Sequence, residues 1–233
     1  MKKVNIIGDC HAARILEHWN PKICPVDLKV WGKAGFRAYD LNIKELHEYN
    51  EPSSGIESFN DNILQTFKKH EDTVLNFQNI KNGELIMPWA GYVDIRQFLP
   101  KYKNTDLIVK KYVEEFINFY DKSVIRFIEP LPQFTEMLLK YEGIHPSYSY
   151  EERLEQNRIF IDSLRKYSEE YGLQKPISQE EIYKAVGVQE FTTDLTPQNG
   201  SHPVDALTPN YMNKIYKLFI EESVNTLDNP YIF

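Results

Sequence analysis

A chain of 233 residues with 34 acidic against 27 basic side chains carries a net charge of −7, which speaks against nucleic acid as a partner, because phosphate binding needs a Lys/Arg-rich face. Hydrophobic residues make up 42% of the chain and charged residues 26%, enough for a packed core and unlike a disordered segment. No run of about 18 apolar residues is present to span a bilayer, and the strand-like start of the chain lacks a signal peptide's apolar stretch, so a cytoplasmic protein without a membrane span is expected.

Taken in chain order, Val4-Asn5-Ile6-Ile7 is short, β-branched and followed by Gly8-Asp9, which predicts a buried strand ending in a tight turn. A helix over residues 11–19 follows. Asp27 to Trp31 alternates as a second strand and stops at Gly32, while Thr73 to Phe77 and Leu85 to Met87 read as strands around an Asn82-Gly83 turn. Residues 106–120 place apolar side chains at helical spacing and run into a strand over Val124 to Ile128; residues 150–171 and 208–227 are further helices. Strand alternating with helix predicts an α/β fold, a mostly parallel sheet with helices on both faces. No repeat, linker or low-complexity tract divides the chain, so one domain over residues 1–233 is expected, with insertions at about 50–82 and 133–150 that are candidate lids or partner surfaces.

In such sheets, ligands bind beyond the carboxyl ends of the strands. Four stretches fall in those loops: Gly8-Asp9-Cys10-His11-Ala12, Gly32-Lys33-Ala34-Gly35, Trp89 to Arg96, and Asn199-Gly200-Ser201-His202-Pro203. A thiol between a strand and a helix meets free N–H groups and the positive end of the helix dipole, which lower its pKa and can hold an oxyanion. The other reading of Cys10 is a small buried hydrophobe. Two cysteines, Cys10 and Cys24, are too few for a disulfide framework. The six histidines show no zinc-hydrolase spacing, so neither metal nor cofactor is expected.

In their order, these stretches resemble the four conserved blocks of the SGNH (GDSL-type) hydrolase family, over residues 4–220 or so. The resemblance implies a three-layer α/β/α sandwich, flavodoxin-like, with Cys10 where the family carries its nucleophilic serine. It further implies that His202 is the base, that Asn199 stands where the orienting aspartate would be, and that Cys10 and Gly35 supply the oxyanion-hole N–H groups. Gly91-Tyr92-Val93-Asp94-Ile95-Arg96 resembles the variant third block Gly-Glu-Ile-Asp-x-Arg, with Val93 where the more usual block has its oxyanion-hole asparagine. Asp9, Gly91, Val93, Asp94 and Arg96 are thereby implied as cleft-shaping or substrate-binding, Asp94 and Arg96 as a buried pair in the cleft floor. Cysteine with histidine and asparagine makes chemical sense together, since a thiolate paired with imidazolium needs only an orienting amide. Asn199-Gly200 is also a favoured turn dipeptide, and Asp194 and Asp205 lie near His202 in sequence.

Two functions are compatible with this pattern. One is an ester hydrolase or acyl transferase acting on a small O-acyl group, including one on a carbohydrate. The other is a catalytically inactive module of the same fold, for glycan binding or for assembly with a protein partner. Trp31, Phe36, Tyr39, Trp89 and Tyr92 cluster near the same loops, where aromatic faces serve either the core or stacking on a sugar or acyl group.

Overall fold

A computed structural model describes residues 2–9, 12, 22, 26–32, 36–39, 41, 47–49, 80, 83–102, 104–130, 148–178 and 180. β1 (Lys3–Gly8), β2 (Asp27–Gly32), β3 (His47–Tyr49) and β4 (Leu85–Trp89) form a sheet of order β3-β2-β1-β4. β1 is parallel to both β2 and β4, and β3 runs antiparallel along β2. The parallel ladders set Gly8 level with Gly32 on one side and with Trp89 on the other. Three carboxyl ends therefore finish at one edge.

Beyond β4 the pairing continues without a full strand. The Arg126 and Ile128 amides donate to Ile86 and Pro88 carbonyls, both at 2.9 Å, and Ile177 then pairs with the 127–129 backbone through bonds of 2.9 and 3.1 Å. Both bridges, Ile86 with Ile125 and Ile128 with Ile177, are parallel.

Strand side chains alternate between faces. Ile7, Trp31 and Ile86 look toward the helices and join one core with Phe116, Phe127, Phe160 and Leu164. Val4, Ile6, Val30, Leu85 and Met87 on the opposite face are just as buried. Asn5 is the polar exception within this sheet: it accepts from the Trp31 indole at 3.0 Å and donates to Glu84 at 3.1 Å, so its burial is compensated.

The helices are α1 (Tyr92–Gln97), α2 (Leu99–Tyr102), α3 (Thr105–Phe119) and α4 (Tyr150–Glu170). α3 buries the stripe Ile108, Val109, Tyr112, Val113 and Phe116, and the rings of Tyr112, Phe116 and Phe127 meet edge to face at 5.2–5.7 Å between centroids. α4 starts at a capping box, with Ser149 and Glu152 each satisfying the other's backbone N–H. It stops at Gly172, whose φ of 68° suits the left-handed turn, where the Leu173 amide closes onto Ser168 at 2.8 Å. The two long helices run the same way: the α3 start bonds to Gln156, Ser163 and Tyr167, and Glu114, further along, bonds to Tyr171.

The expected strands at 4–7, 27–31 and 85–87 and the helices at 106–120 and 150–171 are present within a residue or two of their expected bounds. Two expectations are corrected. The stretch after Trp89 is a helix and not an open loop, and Val124 to Ile128 is a 3-10 turn (Lys122–Val124) followed by two bridges and not a continuous strand. The helices expected at 11–19 and 208–227 and the strand at 73–77 lie outside the described residues, apart from helical Ala12.

Candidate active site at the carboxyl edge of the sheet

The turn after β1 is closed by contact. A Cβ on Gly8 would lie 2.7 Å from the Ala12 Cβ and 3.0 Å from the Trp89 carbonyl oxygen, so the strand end, the first turn of the following helix and the end of β4 meet there. Only glycine fits so close an approach. Asp9, next in the chain, is buried.

On the β4 side, Gly91 has φ 110°, a backbone that side-chain-bearing residues rarely adopt. The Phe160 ring of α4 fills the space a side chain would need, at 2.8 Å from a Cβ position. That turn launches α1, whose residues Tyr92, Val93, Asp94 and Ile95 are buried.

Asp94 is fully buried, and its two carboxylate oxygens accept the backbone N–H groups of Ala38 at 2.9 Å and Tyr39 at 2.8 Å. The segment leaving β2 is thus tied to the helix leaving β4. Burial pushes the Asp94 carboxyl from 3.8 up to about 6, opposed by the Ala38 and Tyr39 amides, by Arg37 and by its own backbone N–H. Nearby, Tyr112 of α3 has its ionisation pushed well above the ordinary range, first by burial and then by the Asp94 and Asp9 carboxylates.

The comparisons with known proteins speak to the fold. One solved crystal structure matches over 97% of this chain and 99% of its own, with a TM-score of 0.54 at 12% identity. At that identity the likeness carries the α/β architecture alone. No family model and no curated protein matches the chain.

Cys10, Gly35, Asn199 and His202 lie outside the described residues, as do Asp194 and Asp205. The remaining expected residues, Asp9, Gly91, Val93, Asp94 and Arg96, are brought to the carboxyl edge. Asp94 and Arg96 do not form the expected pair: the carboxylate takes backbone amides, and the Arg96 guanidinium lies 5.5 Å over the Tyr92 ring. Helical geometry is the reason, since residues two apart do not face each other whereas residues four apart do. Val93 is buried and offers no donor.

Of the five aromatics, Trp31, Phe36, Trp89 and Tyr92 are core residues, the Trp89 indole donating to the Glu129 carbonyl at 3.1 Å. Tyr39 is exposed and stacks on Phe98 at 6.3 Å, with Arg37 4.5 Å over that same ring. Glu129 was not anticipated. It is fully buried where the 124–128 run ends, and Arg165 holds both its oxygens at 2.6 and 3.2 Å; the available signal was a carboxylate directly after an apolar run and before Pro130. Tyr112 was read only as part of an apolar stripe, which hides a hydroxyl. Among the described residues no cluster of three or more His, Cys, Asp or Glu side chains is placed to hold a metal, and no helix is long and apolar enough to cross a membrane.

Proposed function

We propose that this chain is an SGNH-like ester hydrolase or acyl transferase, a single three-layer α/β/α domain acting on a small O-acyl group through Cys10, His202 and Asn199. The observation that carries the reading is the contact-closed junction at Gly8, level with the ends of β2 and β4 and running into helical Ala12. Cys10 follows that glycine by two positions in sequence, and a thiol at a strand-to-helix junction would be activated there and an oxyanion stabilised. Burial of both sheet faces further supports a layer on each side.

In the proposed reaction the Cys10 thiolate attacks the ester carbonyl, and the Cys10 and Gly35 N–H groups receive the oxyanion. As the intermediate collapses, the C–O bond breaks and the leaving alkoxide takes the proton from the His202 imidazolium, leaving a thioester. Water or an acceptor alcohol then attacks with His202 as base, and the thiolate leaves. Asn199 orients the imidazole. Asp9, Gly91, Val93, Asp94 and Arg96 shape the cleft.

A second reading, a non-catalytic glycan-binding or assembly module, is favoured by Val93, a buried apolar side chain where an oxyanion donor would be. Losing one such donor costs roughly 10²–10³ in rate. Two measurements separate the readings. Cys10 should label with iodoacetamide faster than Cys24, with an apparent pKa below the free value of about 8.5; equal labelling removes the activated thiol. Cys10→Ser alone should be poorly active on p-nitrophenyl acetate, and Cys10→Ser with Asn199→Asp should regain turnover, because oxygen needs stronger base assistance than sulfur. If parent and variants all leave activated esters intact, the non-catalytic reading replaces the first.

A further inference from the structure

We propose that Asp94 is a positioning residue: by holding the Ala38 and Tyr39 amides, its carboxylate fixes the segment after β2, a few residues along the sequence from Gly35, on which the acyl-transfer reading relies for an oxyanion donor. The consequence for Gly35 rests on that reading; the lock itself does not.

The geometry is specific to an ionised carboxylate. Two adjacent N–H groups from one segment point at two oxygens of one side chain that is otherwise enclosed. Ala38 is buried too, so its amide has no water to turn to. Among the described residues the charged groups around the carboxylate are few. Arg37 on the held segment favours ionisation, and the Asp9 carboxylate and the Tyr112 phenol of α3 lie within electrostatic reach of the same cluster. Arg96, two residues along α1, is turned toward Tyr92.

Protonation converts one carboxylate oxygen into an O–H, a donor facing a donor, so one of the two amides loses its acceptor. Burial has already moved this event up to about 6, where a modest acidification reaches it. The lock is therefore full at neutral pH and half released in mild acid.

The test follows amide hydrogen exchange of Ala38 and Tyr39 between pH 5 and 7.5, with each rate divided by the intrinsic exchange rate at that pH. Protection should fall about tenfold through a midpoint near 6, as expected for the loss of a charge-assisted hydrogen bond, and the Asp94 side-chain carboxyl carbon should titrate with the same midpoint. In Asp94→Asn the protection should be low and independent of pH. Constant protection in the parent overturns the proposal, whether or not the variant folds. On p-nitrophenyl acetate the parent kcat should drop through the same midpoint with KM steady, and Asp94→Asn should lack that inflection. A protection change without any ester turnover keeps the lock and removes the acyl-transfer reading. Turnover with constant protection does the reverse.

Discussion

Gly91 shows how a single residue sets the geometry of the edge. Its φ of 110° is a left-handed backbone, and the Phe160 ring stands 2.8 Å from where a Cβ would be. Strain at such a backbone costs about 1–3 kcal/mol and overpacking a core a similar amount. Gly91→Ala is therefore expected to lower the free energy of unfolding by about 2–4 kcal/mol, read as a fall in the urea midpoint at constant m. A loss below about 1 kcal/mol would mean that the ring does not rest on Gly91 in solution. The sequence singles out Gly91 through the resemblance to the third block, which falls directly after the apolar run of β4. It does not disclose what Asp94 binds, since the partners are backbone amides more than fifty residues away, and any residue carries an N–H. The expected pairing with Arg96 came from the resemblance to the third block, and α1 separates the two side chains by two residues along a helix.

Among the elements, α4 was legible from its 3.6-residue stripe, with Ser149 and Glu152 at capping-box spacing just before and within its first turn. Removing the Ser149 hydroxyl leaves the Glu152 amide without its partner at 3.2 Å. Ser149→Ala should thus cost about 1 kcal/mol in urea unfolding. An unchanged midpoint would show that solvent replaces the cap. α1 and α2 were not legible, because they are one or two turns long, shorter than any periodicity can establish, and Pro100 sits among them. The 124–128 run reads as a strand from its branched side chains, yet a 3-10 turn takes its first residue and only alternate positions bond to β4. Pattern reports which side chains are buried; the hydrogen-bond ladder depends on the neighbour's backbone, which no local pattern contains. Three of the four sequence blocks start at the edge where β1, β2 and β4 end, aligned by the register of Gly8 with Gly32 and Trp89, and the fourth lies outside the described residues.

For the molecule as a whole, Asp94 sets local order against global stability. A buried carboxylate whose pKa rises from 3.8 to about 6 binds its proton more tightly folded than unfolded. Between those two values the native state therefore holds more protons, and stability falls as pH rises. The contribution is fully present below 3.8 and gone above about 6, a span of about 3 kcal/mol for a fully buried group. Asp106 works in the opposite sense. Its carboxyl is lowered below 3.8, chiefly by the Tyr167 hydroxyl, so the stability it adds is present above 3.8 and disappears only in stronger acid. The two effects occupy separate windows, which makes Asp94 measurable. The difference in unfolding free energy between the parent and Asp94→Asn should shift by about 2 kcal/mol in the parent's favour on going from pH 7 to pH 4, the rest of the span lying below 3.8, even as the Ala38 and Tyr39 amides lose protection over the same range. Opposite signs in the local and global measurements are what a strained lock requires: ionisation orders the segment after β2 while the fold bears the cost of an enclosed charge. A difference that stays flat from pH 7 to pH 4 would mean that Asp94 ionises folded as it does unfolded, and that the enclosed carboxylate is solvated by something other than the two amides.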